Sequence, residues 1–288
     1  MKIFTPIFVA AALALTSLPA QAKATYFTVD GVRYKSNTAV TSVNVVSAGT
    51  GKTYVGDIVI PAKIVTTSNG ELPVIGVGSS AFSECDELTS VILPESVTSI
   101  GDYAFDTCSK LKKVEMPGVK TIGHWSFRYC EALESLVFPE GLTSIGNYAF
   151  DHITKITQIE LPSTLTNIGG FAFEGNPQIT KVICHAVTPP AIKKGYIDGD
   201  EIYTIFEDTN YGDIVLEVPA EAINEYKTTM GWHYFKTINP LAGIDNIVAD
   251  TEEAEAAYFD ILGRPVVNPQ KGQLYVKKTK AGTTKVIF

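Results

Sequence analysis

The stretch TSIGDYAFDTC, Thr98–Cys108, is written again with small changes as KTIGHWSFRYC (Lys120–Cys130), TSIGNYAFDHI (Thr143–Ile153) and TNIGGFAFEGN (Thr166–Asn176). Working outward from it, Phe82, Phe105, Phe127, Phe150 and Phe173 are separated by 23, 22, 23 and 23 residues. Gly78, Gly101, Gly123, Gly146 and Gly169 keep step four residues upstream of them, and Pro94, Pro117, Pro139 and Pro162 recur at the same period. A period of this length marks a stack of small units, each unable to bury its own apolar edge and each covering its neighbour's.

Within one unit, CDELTSVILPESVTSIGDYAF, the residues Leu88, Val91 and Leu93 have L-x-x-L-x-L spacing. Val91 and Leu93 share one face of a strand, and Ile92 points the other way. Pro94 lacks an N–H and ends the pairing. Val97 and Ile100 turn inward again, and Gly101 suits a tight corner. The following DYAFDTC reads as a short helical or irregular turn, with Ala104 and Phe105 filling the interior. The fold class expected is a leucine-rich repeat solenoid of short parallel strands, closed by a β-rich cap at the N-terminus and a mixed α/β cap at the C-terminus.

The motif IGxxAFxxCxxLxxVxLP resembles the leucine-rich repeats of the BspA-like family of bacterial surface proteins. The likeness covers residues 74–188 as five repeats of 22–23 residues, and it extends to both flanks. Residues 23–73 resemble the family's N-terminal β cap. Residues 189–241 resemble its C-terminal cap, with Asn224 to Lys227 on a short helix and Trp232 and Phe235 covering the last rung. Residues 242–256 are acidic and poor in large apolar side chains, so they read as a linker. Residues 257–288 alternate apolar and polar and read as a short β tail. Its DILGRPV, KGQLYV and basic end resemble the last part of type IX secretion sorting domains. A terminal hairpin docked on the cap is the other reading of this tail.

Residues 1–22 have a charged start at Lys2, an apolar run broken by Pro6 and the small-x-small site Ala20, Gln21, Ala22, the pattern of a cleaved signal peptide. The run is too short for about twenty apolar residues, so no transmembrane segment is expected in the mature chain. The protein is expected to be exported and to act at the cell surface, as a secreted protein or in the periplasm. The net charge of −8 argues against nucleic acid as a partner, because phosphate binding needs clustered Lys and Arg.

No residue pattern calls for catalysis, a cofactor or a metal. Cys85, Cys108 and Cys130 each lie three residues after a repeat Phe, where Ile153 and Asn176 stand in later copies, and Cys184 takes a strand position. A slot that accepts Cys or Ile reads as a small buried slot holding a free thiol. Rung spacing of about 4.8 Å leaves a disulfide between neighbours possible. The AGTGKT stretch, Ala48–Thr53, has Val46 where a phosphate loop needs Gly, and its glycines suit a hairpin turn. His124, His152, His185 and His233 fall at different phases.

Two columns carry the surface expectations. The outward strand positions Ile92, Glu115, Val137, Glu160 and Ile183 make a mixed apolar and acidic strip. The aromatics Tyr103, Trp125, Tyr148 and Phe171 stand in register, either as a recognition stripe or as rings stacked on one another to shield the edge. The resemblance implies bacterial surface display and attachment to host or neighbouring-cell proteins. The expected function is therefore a non-catalytic binding or adhesion module with a protein or glycan ligand. The alternative is an envelope protein that captures glycans or nutrients, with Trp125 and the tyrosines stacking on sugars.

Overall fold

Each copy of the repeat makes one circuit with three sides, and backbone hydrogen bonds tie the sides of neighbouring copies together, with one interruption on the first side. The computed structural model describes residues 24–197, 200–206 and 211–241, with four tail strands, Ala257–Phe259, Pro265–Val266, Leu274–Thr279 and Gly282–Ile287. Residues 1–22 and 242–256, read above as leader and linker, lie outside the described residues.

The first side carries the L-x-x-V-x-L segment. Leu88–Ile92 pairs in parallel with Gly56–Val59 and with Lys113–Glu115. Further on, Gln158–Leu161, Lys181–Cys184, Val215–Val218 and Thr237–Pro240 form a second parallel run. The second side is two residues wide. Val77, Ile100, Ile122, Ile145, Ile168 and Ile192 stand in parallel register, and all are buried.

The third side is the DYAFDTC turn, and it is neither helix nor strand. Alternate N–H groups reach the next copy: Phe105 donates to the Ser126 carbonyl at 2.7 Å, Phe127 to Ala149 at 2.8 Å and Phe150 to Ala172 at 2.8 Å. The N–H groups between them close tight turns, as Asp106 does onto the Tyr103 carbonyl at 3.2 Å. This alternation requires left-handed backbone at two places in each copy, Tyr103 and Thr107 (φ 57° and 60°), then Trp125 and Tyr129, then Tyr148 and His152. Such φ values cost roughly 1–2 kcal/mol for a residue with a side chain. The ladder bonds and ring contacts they permit offset that cost.

Inside, the repeat phenylalanines stack. Centroid separations are 4.9 Å from Phe82 to Phe105, 4.9 Å to Phe127, 5.1 Å to Phe150 and 5.4 Å to Phe173, with interplanar angles of 5°, 12°, 7° and 10°. Tyr54 covers the first ring at 4.9 Å, and Phe206 continues past the last at 6.3 Å. The corner glycines have ordinary φ, and crowding is what demands them. A Cβ on Gly146 would lie 2.5 Å from the Gly123 carbonyl carbon, and one on Gly169 would lie 2.2 Å from the Asn147 nitrogen.

The caps change strand direction. Tyr26–Val29 and Val32–Ser36 form a hairpin, and Val43–Val45 runs antiparallel to the second strand and parallel to Gly70–Val77. The AGTGKT stretch connects Val43–Val45 to Gly56–Val59, which belong to different sheets, so the expected hairpin is not formed. At the other end, the short helix is Ile223–Tyr226. Trp232 and Phe235 are buried beyond it, with the indole N–H donating to the Pro190 carbonyl at 2.7 Å. The tail strands make an antiparallel sheet of their own.

The four cysteines are free and buried. Their slot is more specific than small size alone. The Cys108 thiol donates to the Phe82 carbonyl at 3.0 Å, and the Cys130 thiol donates to the Phe105 carbonyl at 3.1 Å. Asn176 does the same with its amide, to Phe150 at 2.8 Å and Phe173 at 2.9 Å, while its oxygen accepts the Ile153 N–H at 2.7 Å. The cysteines thus bring a second donor to buried carbonyls that already accept a turn N–H, from Cys85 to Phe82 at 3.2 Å and from Cys108 to Phe105 at 3.2 Å. Burial pushes the Cys85 and Cys184 thiols up to about 11, and the neighbouring Cys130 thiol, with burial, raises Cys108.

Two outcomes follow from this packing. Phe127→Ala should lower stability by about 3–5 kcal/mol in urea unfolding, and Gly146→Ala should destabilise although it adds a single methyl. At pH 8 a disulfide-exchange reagent should leave Cys85, Cys108 and Cys184 unmodified in the folded chain, because thiolate is the reactive form, and should modify them once urea unfolds it.

Candidate interaction surface

The first side turns alternate residues outward, and parallel register lines them up. Ile92 faces solvent at 38% exposure, beside Glu115 on the next strand. Glu160 and Ile183 are partners further along, Glu160 exposed and Ile183 half-buried. Val59, which pairs with Ile92, is 66% exposed and extends the strip. Sequence reasoning missed it because Gly56–Val59 lies in the cap and lacks the repeat motif. Its signal was the run Ile58, Val59, Ile60 before Pro61, which matches Val91, Ile92, Leu93 before Pro94.

Val137, read as an outward strand position, is not on a strand. The segment 135–138 forms no strand, and this separates the two parallel runs of the first side. The physical reason is at the next residue. Phe138 occupies the inward slot held elsewhere by Leu93, Met116, Leu161 and Cys184, and its ring meets Phe150 edge-on at 5.3 Å. The ring is bulkier than the side chains that fill this slot in the other copies, and the segment that carries it forms no strand. Val137 is left at 61% exposure between the copies that carry Glu115 and Glu160.

The carboxylates are not idle. Glu115 pairs with Lys113 at 2.6 Å, Glu160 with His185 at 2.9 Å, and Lys181 with Glu217 at 2.7 Å. The Glu115–Lys113 pair is exposed, and such pairs contribute about 0–1 kcal/mol, so it can exchange partners at little cost.

The aromatic column is a stack. Tyr103 and Trp125 lie 5.0 Å apart at 7°, Trp125 and Tyr148 5.7 Å apart at 4°, and Tyr148 and Phe171 5.2 Å apart at 31°. Tyr103, Trp125 and Tyr148 are half-buried. Phe171 has 0% exposure and is withdrawn as a contact residue. The reason is Gly195, whose backbone lies so close that a Cβ there would be 2.1 Å from the Phe171 ring. Beside the stack, Asp102 accepts the His124 N–H at 2.8 Å, and His124 Nδ1 in turn accepts the Asn147 N–H at 2.8 Å. These varying side chains hold the next copy's backbone.

Among the described residues, no group of three or more His, Cys, Asp or Glu side chains is placed to hold a metal ion, and no helix is long and apolar enough to cross a membrane.

Residues 75–189 match the model of the BspA type leucine-rich repeat region, in six copies. A solved leucine-rich repeat protein of T. pallidum is 30% identical, with 58% of this chain and 71% of that one covered and a TM-score of 0.45. One from Bacteroides ovatus is 23% identical, with 68% and 56% covered and a TM-score of 0.48. A leucine-rich cell surface protein of Faecalibacterium prausnitzii is 21% identical, with 71% and 73% covered and a TM-score of 0.38. No curated protein matches the chain. The repeated motif, the parallel rungs it builds and the six matched copies together identify residues 75–189 as a BspA type leucine-rich repeat region.

Proposed function

We propose that the chain is an exported, non-catalytic binding module that attaches to host or neighbouring-cell macromolecules through the first side of its repeats. The observation that carries this reading is the exposed row Val59, Ile92 and Val137, set among Glu115 and Glu160 on an extended surface. Apolar side chains held outward and flanked by charge are what a protein partner buries. Proteins built of such repeats generally bind other proteins, and the relative from Faecalibacterium prausnitzii is described as a cell surface protein.

Export rests on the leader pattern of residues 1–22. The tail 257–288 serves in this reading as a sorting signal of the type IX kind. Capture of glycans remains the second reading, and the stack narrows how it can work: rings about 5 Å apart have no free faces between them, so Trp125 and Tyr148 present only edges.

The test uses immobilised extracellular matrix and mucin. The chain should be retained, and the combined variant Glu115→Ala, Val137→Ala, Glu160→Ala should bind at least about tenfold more weakly with its unfolding midpoint unchanged. Unchanged retention by the folded variant rules out this surface.

A further inference from the structure

The aromatic stack is sealed at one end and open at the other. At the sealed end Phe171 is wholly buried beneath Gly195. At the open end, the copy before Tyr103 carries Ser80 at the same phase. Ser80 has the same left-handed backbone (φ 52° against 57°) and the same ladder bond, its N–H donating to the Asp102 carbonyl at 2.9 Å. Among the described residues, no ring lies against the second face of Tyr103. Its ring contacts are Trp125 on one face and the Arg128 guanidinium 5.9 Å from its centre. Arg128 is itself fixed by two bonds to Asp106, at 2.8 and 3.0 Å.

The first copy thus lacks the ring that the next four copies have. The missing ring defines a notch at the phase of Ser80 beside Tyr103, where Ser79, Ser80 and Asp102 are exposed and Tyr103 is half-buried. We infer that this notch is a carbohydrate subsite that takes one hexopyranose ring, stacked by its C–H face on Tyr103. The inference rests on the reading of the chain as a binding module.

The chemistry of the walls selects the class. A pyranose has one apolar face and a rim of hydroxyls. The notch offers one ring face, two serine hydroxyls and a carboxylate whose Oδ2 has capacity beyond the bond that Oδ1 makes to His124. An aromatic side chain from a protein partner would gain the same stacked face, but it brings at most one polar atom to Ser79, Ser80 and Asp102, where a hexose brings a rim of hydroxyls. The axial or equatorial setting of each hydroxyl decides which pyranose face can stack, so stacking and the rim would read identity together.

The test is saturation-transfer NMR on the chain with methyl glycosides of glucose, galactose, mannose and N-acetylglucosamine, and with N-acetyl-tyrosinamide as the aromatic probe. At least one glycoside should show transfer, and its Kd should rise about tenfold or more in Tyr103→Ala. Ser80→Tyr should abolish it equally. This second variant completes the stack at a backbone position where Tyr103, Trp125 and Tyr148 already show that a ring is tolerated, so it keeps the test valid if Tyr103→Ala unfolds. Glycoside binding that survives both variants overturns the site. Binding of the aromatic probe with silent glycosides overturns the sugar class, and silence from all probes overturns the inference. Retention of the unmodified chain on matrix and mucin, measured beside it, tells whether the wider binding reading falls too.

Discussion

Everything in this protein depends on the length of one hydrogen bond between neighbouring backbones. Parallel strands so joined stand about 4.8 Å apart. The repeat phenylalanines, at 4.9 to 5.4 Å, repeat that spacing in their rings. It is too short for anything between two copies except flat side chains lying flat. Branched residues stack by interlocking, as the Ile100 to Ile192 row does. Glycine is required where two corners meet. The circuit's composition is a set of answers to one spacing.

The same spacing decides what can be a surface. A side chain pointing along the stack is consumed by its neighbour, as the aromatic rings, Asp102 and His124 are. A side chain pointing away from it stays available, as Ile92 and Val59 do. The variable positions of the repeat therefore divide into two kinds that look alike in a sequence: those that vary because they meet solvent, and those that vary because several polar groups can each hold the next backbone.

The repeat, its inward residues and the strand faces were legible because they follow a period of two within a period of 22–23 residues. The thiol slot was legible as small and buried. Its role in donating to a buried carbonyl was not, since Cys and Asn share that role through different atoms. The left-handed backbone at Tyr103, Trp125 and Tyr148 could not be read, because bulky residues are poor signals for it. Phe171 looked like its column mates, and only the chain around Gly195, far along the sequence, hides it. Val137 was placed by phase, and the phase is right. The strand it was assigned to is absent because of the size of Phe138 next to it.

The interrupted copy around Val137 has a consequence for how such a chain changes length. On its first side the two parallel runs do not touch through backbone pairing there, while the second side and the turn ladder pass through unbroken. A duplication or loss of one copy at that seam would keep the two continuous ladders in phase and disturb no strand pair on the first side. The molecule can thus be lengthened or shortened by whole rungs with its caps and its outward rows intact, so reach and recognition can evolve separately.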